Sequence, residues 1–340
     1  MDPYLEDYKQ KTIAELVSAF NNNVQSLKTQ LLTNINKIRM RSKIHNKIKA
    51  HNILFFNNKF NADVAQLKKK LNNDIKKVNQ ATSFPQRNIP GKFASLIGIN
   101  YKNTPNELYG CINDTKNIKN LLQEKYGFNN FVSLTDDTTY KPTKKNIIYA
   151  LTTLLKNSIS GDSLFFLYSG HGTCTTDLNS DELDGQDELI VPINATSINT
   201  CISDDELNNI IKTNLKPGVT LFALFDSCFS GTVLDLKYNL DSSDTVIVNP
   251  SNQDTSGQVF MISGCTDQQT SADAFIGGKS TGAMTFAFTQ TIKQYGTSIT
   301  LKQLVTNMRQ LLSDSGLEQI PQLAWGSVSD IDTNILFITQ

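Results

Sequence analysis

The sequence predicts an α/β domain with a mostly parallel central sheet, preceded by an α-helical hairpin or coiled coil. From residue 93 onward, short apolar runs alternate with segments of helical periodicity, which is typical of a parallel sheet covered by helices on both faces. Two of these runs, at residues 164–168 and 221–225, are continuously apolar and end abruptly in small residues, as buried parallel strands do. Before residue 80 the apolar side chains instead recur every three or four positions.

Residues 1–82 are predicted to form a helical extension with two amphipathic helices. Their apolar positions are Phe20, Val24, Leu27, Leu31, Ile35 and Ile38, then Phe60, Val64, Leu67, Leu71, Ile75 and Val78. Such helices can pair with each other or pack on the main domain, and both interpretations remain open. The segment is rich in Lys and Asn, and its basic face is more simply a solvated surface than a contact for an acidic partner.

Residues 83–92 contain two prolines and a glycine and are predicted to be a linker to the domain of residues 93–340. The predicted strands of that domain are residues 93–99, 131–134, 163–168, 219–225, 259–263 and 334–338, with 188–193 as a possible hairpin arm. The predicted helices are residues 113–126, 143–155, 282–294 and 300–312, and a short helix that opens with a capping box of Ser203 and Glu206. The polar residues 236–258 are expected to be a surface loop.

Composition narrows the class of protein. Lys and Arg balance Asp and Glu at 32 each, so neither nucleic acid nor membrane is expected as the main partner. The five cysteines form no C-x-x-C pair, which indicates reduced thiols and an intracellular, cytoplasmic setting, and argues against disulfides or zinc. The amino terminus lacks the pattern of a signal peptide, and no apolar stretch is long enough to predict a membrane span.

The two apolar runs each deliver one reactive side chain, His171 and Cys228. If the strands are neighbours, these residues form a thiol and imidazole dyad, in which the imidazole favours the thiolate and protonates a leaving amine. A cysteine after a strand, taken alone, is more often a small buried apolar residue. The matching histidine favours the catalytic interpretation, since the other two, His45 and His51, lie in the helical extension.

From residue 93 to the end, about three quarters of the chain, the sequence resembles the metacaspases, caspase-fold cysteine peptidases. Tyr168-Ser-Gly-His-Gly172 resembles the family's histidine motif and Asp226-Ser-Cys-Phe-Ser-Gly231 its cysteine motif. Three further segments resemble the family's small-subunit region: residues 263–273, Thr281-Gly-Ala-Met-Thr285 and residues 319–323. One departure is Phe229, where many metacaspases have His. Because that neighbour is not the family's general acid, altered rate or substrate contacts are expected, not loss of activity.

The resemblance implies a caspase-like three-layer sandwich, with a large-subunit-like part at residues 93–235 and a small-subunit-like part at 259–340. It also implies that His171 and Cys228 are the catalytic dyad and that the amides of Gly172 and Cys228 bind the oxyanion. The family's pocket for a substrate Arg or Lys matches Cys111, Asp114, Ser169 and Asp226. Two carboxylates in a partly dry pocket suit a guanidinium or ammonium group. The alternative for Asp114 is a helix N-cap.

The acidic loop of residues 177–188 does not have EF-hand spacing, because Ser180 and Val191 would fall at the first and bidentate ligand positions. The metacaspase family has a different calcium site, whose aspartates match Asp187, Asp204, Asp205 and Asp235. The alternative is a solvated acidic surface in which Asp204 and Asp205 cap a helix.

The predicted function is therefore that of a calcium-dependent cysteine endopeptidase that cleaves peptides or proteins after Arg or Lys. Self-processing of a zymogen is expected at Lys237, since it is the only basic residue between Cys228 and Lys279. The resemblance implies a monomer, with a possible partner bound by the N-terminal helices. The alternative function is a catalytically weak regulatory or scaffold protein that acts through those helices.

Overall fold

The computed structural model describes residues 3–81, 87–176, 186–227, 233–264, 273–276, 279–317 and 319–332. The chain divides into two compact units, Met1–Pro85 and Gln86–Gln340. No helix within the described ranges has the length and apolarity needed to cross a membrane.

The first unit is an antiparallel helical hairpin, so the predicted helical extension is confirmed. Helix α1 spans Pro3–Arg39 and helix α2 spans Asn46–Gln80. The two helices pack along their lengths, and Lys9 Nζ near the start of α1 donates to the Asn79 carbonyl at the end of α2. Within α2 no described residue is fully buried, because one seam of apolar side chains faces a single partner helix.

The second unit alternates strands and helices. Its strands are β1 (Lys92–Gly98), β2 (Asn130–Thr135), β3 (Ser163–Ser169), β4 (Gly172–Thr176), β5 (Gln186–Ile190), β6 (Ile202–Ser203), β7 (Thr220–Asp226), β8 (Tyr238–Leu240), β9 (Val246–Val248), β10 (Gln258–Ser263), β11 (Asp273–Ile276), β12 (Lys279–Gly282) and β13 (Gln322–Trp325). Its helices are α3 (Cys111–Tyr126), α4 (Lys144–Lys156), α5 (Asp204–Asn214), α6 (Ala283–Tyr295) and α7 (Leu301–Asp314).

The central sheet has the strand order β2-β1-β3-β7-β10-β13-β8-β9. Neighbouring strands from β2 to β10 are parallel, and β13, β8 and β9 continue the sheet with antiparallel pairs. The mostly parallel α/β fold is therefore confirmed. Aromatic rings fill the core beneath the central strands, where Phe165 stacks on Phe222 with centroids 5.5 Å apart and Phe288 of α6 packs against both.

Strands β3 and β7 are direct neighbours, as the dyad hypothesis requires. Their parallel register aligns Ser163 with Thr220 and Ser169 with Asp226. The two strands therefore end together at the carboxyl edge of the sheet, where ligand sites of open α/β folds lie.

The surface-loop prediction for residues 236–258 is wrong in part, because this stretch contributes β8 and β9 to the central sheet. Strand β8 pairs with β13, which carries Leu323 and Trp325, and Tyr238 stacks on Trp325 at 5.7 Å. Every residue of β9 is exposed at the sheet edge, so it shows no burial pattern that a sequence could reveal. The predicted strand at residues 334–338 lies outside the described residues.

Helix starts agree with the sequence, with one correction. Thr143 and Thr300 cap α4 and α7 through their side chains, and Ser203 accepts from the Glu206 amide at the start of α5. The N-cap of α3 is Gly110, so the alternative interpretation of Asp114 as a cap is wrong. Asp114 lies inside the first turn of α3, and its side chain is therefore available to the site.

Candidate active site

His171 follows β3 and is held through its backbone by two tyrosines. Its amide donates to Tyr101 Oη at 2.9 Å, and its carbonyl accepts from Tyr168 Oη at 2.7 Å. The Tyr101 ring also lies against the imidazole, with centroids 4.7 Å apart. Burial raises the pKa of both tyrosines, so their hydroxyls stay protonated donors at neutral pH. The position of the histidine is thus fixed independently of any substrate.

The tautomer of His171 follows from one contact. Nε2 lies 2.8 Å from the carbonyl oxygen of Asn106. A carbonyl only accepts hydrogen bonds, so Nε2 carries the proton and the neutral ring has its lone pair at Nδ1. The nitrogen that can accept a proton from a thiol is therefore Nδ1.

Cys228, predicted to be the nucleophile, lies outside the described residues, as does Phe229. The described chain reaches Ser227, which is fully buried after the end of β7. Ser169 pairs with Asp226 in the sheet, and the Gly170 amide donates to the Asp226 carbonyl at 3.3 Å. In the sequence, His171 and Cys228 each follow a member of this matched pair by two residues.

Two buried carboxylic acids lie beside the end of β3. Asp114 of α3 accepts a hydrogen bond from Ser169 Oγ at 2.8 Å, and both side chains are almost entirely buried. Desolvation by burial, with a further contribution from the charge of the nearby Asp226, raises the pKa of Asp114 to about 8. The structure therefore brings together three of the four residues predicted to form the substrate pocket.

The fourth predicted pocket residue, Cys111, is buried one helical turn before Asp114. Close packing at this place depends on Gly98 at the end of β1, since a Cβ there would lie 2.4 Å from the Cys111 carbonyl oxygen. Gly172, predicted to be an oxyanion donor, is the first residue of β4 and pairs with Ile190.

A segment of this chain covers the two carboxylic acids. Thr281 Oγ1 donates to Asp114 Oδ1 at 2.6 Å, and the Gly282 amide lies 3.1 Å from both Asp114 oxygens. The amide of Thr285 donates to Asp226 Oδ2 at 2.7 Å. A Cβ at Gly282 would lie 2.1 Å from that same oxygen, so only glycine fits here. These contacts, which the sequence did not reveal, shield the two carboxylic acids from solvent.

The four predicted calcium aspartates belong to one acidic corner of the fold, defined by Asp187, Asp204, Asp205 and Asp235. Asp204 Oδ2 accepts from the amide of Glu188, the residue after Asp187, and Asp204 Oδ1 accepts from the amide of Asp205. One turn further along α5, Asn208 Nδ2 donates to the Asp235 carbonyl at 3.0 Å. Asp235 itself has a positive φ of 43°.

The donor chemistry of this corner suits a hard cation such as calcium, which takes oxygen ligands. Burial raises the pKa of Asp204 in spite of its backbone hydrogen bonds, so a nearby positive charge would favour its ionised form. Among the described residues, however, no three His, Cys, Asp or Glu side chains are gathered as in a metal site. The corner therefore has suitable residues without an assembled coordination sphere.

Comparisons with known proteins bear on the fold and the family of the chain. A family model described as metacaspase, peptidase C14 domain, matches residues 92–237. Metacaspase-1 of Kluyveromyces lactis is 37% identical over 298 residues, covering 72% of this chain and 68% of the relative. Metacaspase-1 of Debaryomyces hansenii is 38% identical over 314 residues, covering 76% of this chain and 70% of the relative.

Among solved structures, the protein GSU0716 from Geobacter sulfurreducens is similar with a TM-score of 0.54 and 22% identity, over 72% of this chain and 97% of that one. Caspase-1 from Spodoptera frugiperda is similar with a TM-score of 0.41 and 13% identity, over 75% of this chain and 92% of that one.

A mostly parallel sheet in which a histidine follows β3 and, in the sequence, a cysteine follows the neighbouring β7 is typical of caspase-fold cysteine peptidases. Within that class, the chain belongs to the metacaspase family. It is accordingly a hydrolase of the cysteine-peptidase type, and proteins or peptides are its substrates.

Proposed function

We propose that this metacaspase cleaves after Arg or Lys, with Cys228 as nucleophile and His171 as its base. The observation that carries the specificity is the buried pair of Asp114 and Asp226 beside the end of β3. A guanidinium or ammonium group that enters between them replaces the proton on Asp114 and is bound by two carboxylates. An Asp side chain in the same place would face like charges and be rejected.

In the proposed reaction, Nδ1 of His171 takes the thiol proton of Cys228, and the thiolate attacks the carbonyl carbon of the scissile bond. The amides of Gly172 and Cys228 bind the oxyanion that forms. The imidazolium returns its proton to the departing amine, leaving an acyl-enzyme that water hydrolyses. The Asn106 carbonyl keeps the proton of the resting imidazole at Nε2. Nδ1 therefore both takes the proton from the thiol and returns it to the departing amine.

We also propose that calcium activates the enzyme through the acidic corner. When bound, calcium would supply positive charge beside the Asp204 carboxylate, whose pKa is raised by burial. Asn208 connects this corner to the backbone at Asp235, which follows the Cys228 segment closely in sequence. Ordering of the corner would therefore act on the chain that carries the nucleophile.

The test of this proposal is a set of otherwise identical peptides with Arg, Lys or Asp before the cleaved bond, assayed with calcium and with chelator. We expect kcat/KM to be at least about 10²-fold higher for Arg and Lys than for Asp, because the site loses an ion pair and gains repulsion. Chelator should remove this activity, and Asp204→Asn should weaken the response to calcium. Equal cleavage after Asp would contradict the specificity, and full activity in chelator would contradict the calcium dependence.

Self-processing at Lys237 is a further part of the proposal. The contacts of this residue indicate which part of the fold must open before the bond after it can be cleaved. Lys237 Nζ forms an ion pair with Asp254 Oδ1 at 3.0 Å, and its carbonyl accepts from the Asn249 amide at 2.8 Å. The bond after Lys237 enters β8 directly. Cleavage there therefore needs local opening of β8 and β9, since peptidases bind extended chain segments.

We expect Lys237→Ala to abolish the fragment that calcium produces near residue 237, as followed by gel electrophoresis and intact mass. Asp254→Ala should accelerate its appearance, because the lysine is then released from its ion pair. Lys212→Ala, at an exposed lysine of α5, serves as the control and should leave the fragments unchanged. A Lys237→Ala chain with the wild-type fragment pattern would rule out this cleavage site.

A further inference from the structure

The net charge of the chain is zero, but its two units carry net charges of opposite sign. Residues 1–85 contain 15 Lys and Arg against 6 Asp and Glu, whereas residues 86–340 contain 17 against 26. The imbalance of the first unit is concentrated where its hairpin turns. Lys37, Arg39, Arg41, Lys43, Lys47 and Lys49 lie within 13 residues, and no Asp or Glu occurs from residue 16 to residue 62.

Carboxylates of the hairpin are too distant to neutralise these cations. Asp63 lies 14 residues beyond Lys49 along α2, which is about 21 Å at the rise of an α-helix. Glu15 lies still further from Lys37 along α1. Both separations exceed the screening length of about 8 Å at physiological ionic strength. The turn of the hairpin is therefore a region of unbalanced positive charge.

The same turn exposes large apolar side chains, which is unusual for a purely solvated basic surface. Leu32, Met40, Ile48, Leu54 and Phe55 are between 52% and 84% exposed. Ile48 and Phe55 are seven residues apart in α2 and thus share one face of the helix. We call this region, residues 32–55 with its cations and exposed apolar side chains, the hairpin tip.

We propose that the hairpin tip docks on the surface of an anionic lipid bilayer. Anionic headgroups would attract the basic residues, while Ile48, Leu54 and Phe55 enter the boundary between headgroups and acyl chains. A nucleic acid would satisfy the charges but would leave the aliphatic side chains without a partner. A second copy of the tip is disfavoured, because like charges repel. This proposal does not depend on the substrate preference. It differs from the expectation, based on the balanced overall charge, that a membrane is not the main partner.

The test is co-sedimentation of the full chain with vesicles of phosphatidylcholine alone or of phosphatidylcholine with phosphatidylserine. We expect binding only to the anionic vesicles, and weaker binding at high salt. Failure of the wild-type chain to bind anionic vesicles at low salt would overturn the proposal. So would stronger binding, in the same buffer, to a duplex or single-stranded oligonucleotide than to the vesicles.

Variants locate the binding surface. Changing Lys37, Arg39, Arg41, Lys43 and Lys47 together to Gln should weaken vesicle binding by about 10²-fold or more, because each basic residue near the surface contributes roughly fivefold. The matched control changes Lys68, Lys69, Lys70, Lys76 and Lys77 to Gln, which removes the same charge from the other end of α2 and should retain most of the binding. Equal loss in both variants would overturn the assignment to the tip.

A second variant separates lipid insertion from charge alone. Ile48→Ser with Phe55→Ser leaves the charge unchanged and should weaken binding to anionic vesicles by about tenfold or more, because apolar side chains no longer enter the bilayer. Circular dichroism of each variant verifies that the hairpin stays helical. Unchanged vesicle binding by this folded double variant would overturn the proposed insertion.

Discussion

Replacing Cys228 by Ala is expected to lower kcat/KM for a basic substrate by about 10³-fold or more, and replacing His171 by Ala should have a similar effect. In the proposed reaction the two residues act as one unit, since the thiolate forms only when the imidazole takes its proton. The double variant should consequently be little worse than either single variant. Steady-state kinetics with the most rapidly cleaved Arg peptide measure all three losses.

The fold should survive these changes. His171 is only partly buried, and its backbone, not its side chain, is held by Tyr101 and Tyr168. Cys174→Ala is the matched control, because it removes a cysteine thiol of β4 and should leave kcat/KM nearly unchanged. Iodoacetamide should modify Cys228 faster than Cys174, and His171→Ala should slow that reaction. Retained peptidase activity in Cys228→Ala would refute the assignment of the nucleophile.

Asp114→Asn is expected to lower kcat/KM for Arg peptides by about 10²- to 10³-fold, since one partner of a desolvated charge pair is removed. The informative quantity is the ratio of kcat/KM for an Arg peptide to that for its neutral citrulline analogue, because titration of the dyad cancels in the ratio. In the wild type this ratio should rise as pH increases toward about 8, where Asp114 ionises. In Asp114→Asn the contribution of this group to the pH dependence should vanish.

The same substitution should not destabilise the protein at alkaline pH. Asp114 has a folded-state pKa of about 8 against an ordinary value of 3.8, so the folded state retains a proton that the unfolded chain loses between these values. Its contribution to stability is present below pH 3.8 and is lost as pH rises through 8. In thermal unfolding, the Tm of Asp114→Asn should therefore rise relative to the Tm of the wild type as pH increases over this range.

Asp314→Asn, at an exposed residue of α7, is the control for a change of net charge and should show neither effect. An Arg-to-citrulline ratio in Asp114→Asn that still matches the wild type at every pH would show that Asp114 does not contact the substrate cation. Selectivity would then have to come from another residue.

Sequence was informative wherever a residue's role followed from its local pattern. The runs before His171 and Asp226 identified β3 and β7 as buried parallel strands, and their adjacency is confirmed. Ser203 likewise marked the start of α5 correctly, since its side chain accepts from the Glu206 amide. In each case the physical cause, continuous burial or a local hydrogen bond, lies within a few residues of the feature.

Features that depend on distant or backbone contacts could not be predicted. Thr281 and Asp114 are 167 residues apart, and neither carries a signal of the other. The partner of His171 is the backbone carbonyl of Asn106, which every residue type possesses. Strand β9 is fully exposed, so only its pairing with β8 identifies it. The carbonyl contact and the segment that covers Asp114 become visible only when the chain is folded.

If Asp114 binds the substrate cation as proposed, the hydrogen bonds of Thr281 and Gly282 to Asp114 make this part of the chain a competitor for that pocket. Because the segment is tethered, it competes at an effective concentration that does not change when the enzyme is diluted. On that proposal a substrate must displace this attached segment, so weaker attachment would lower the substrate concentration needed for cleavage without adding any contact to the substrate.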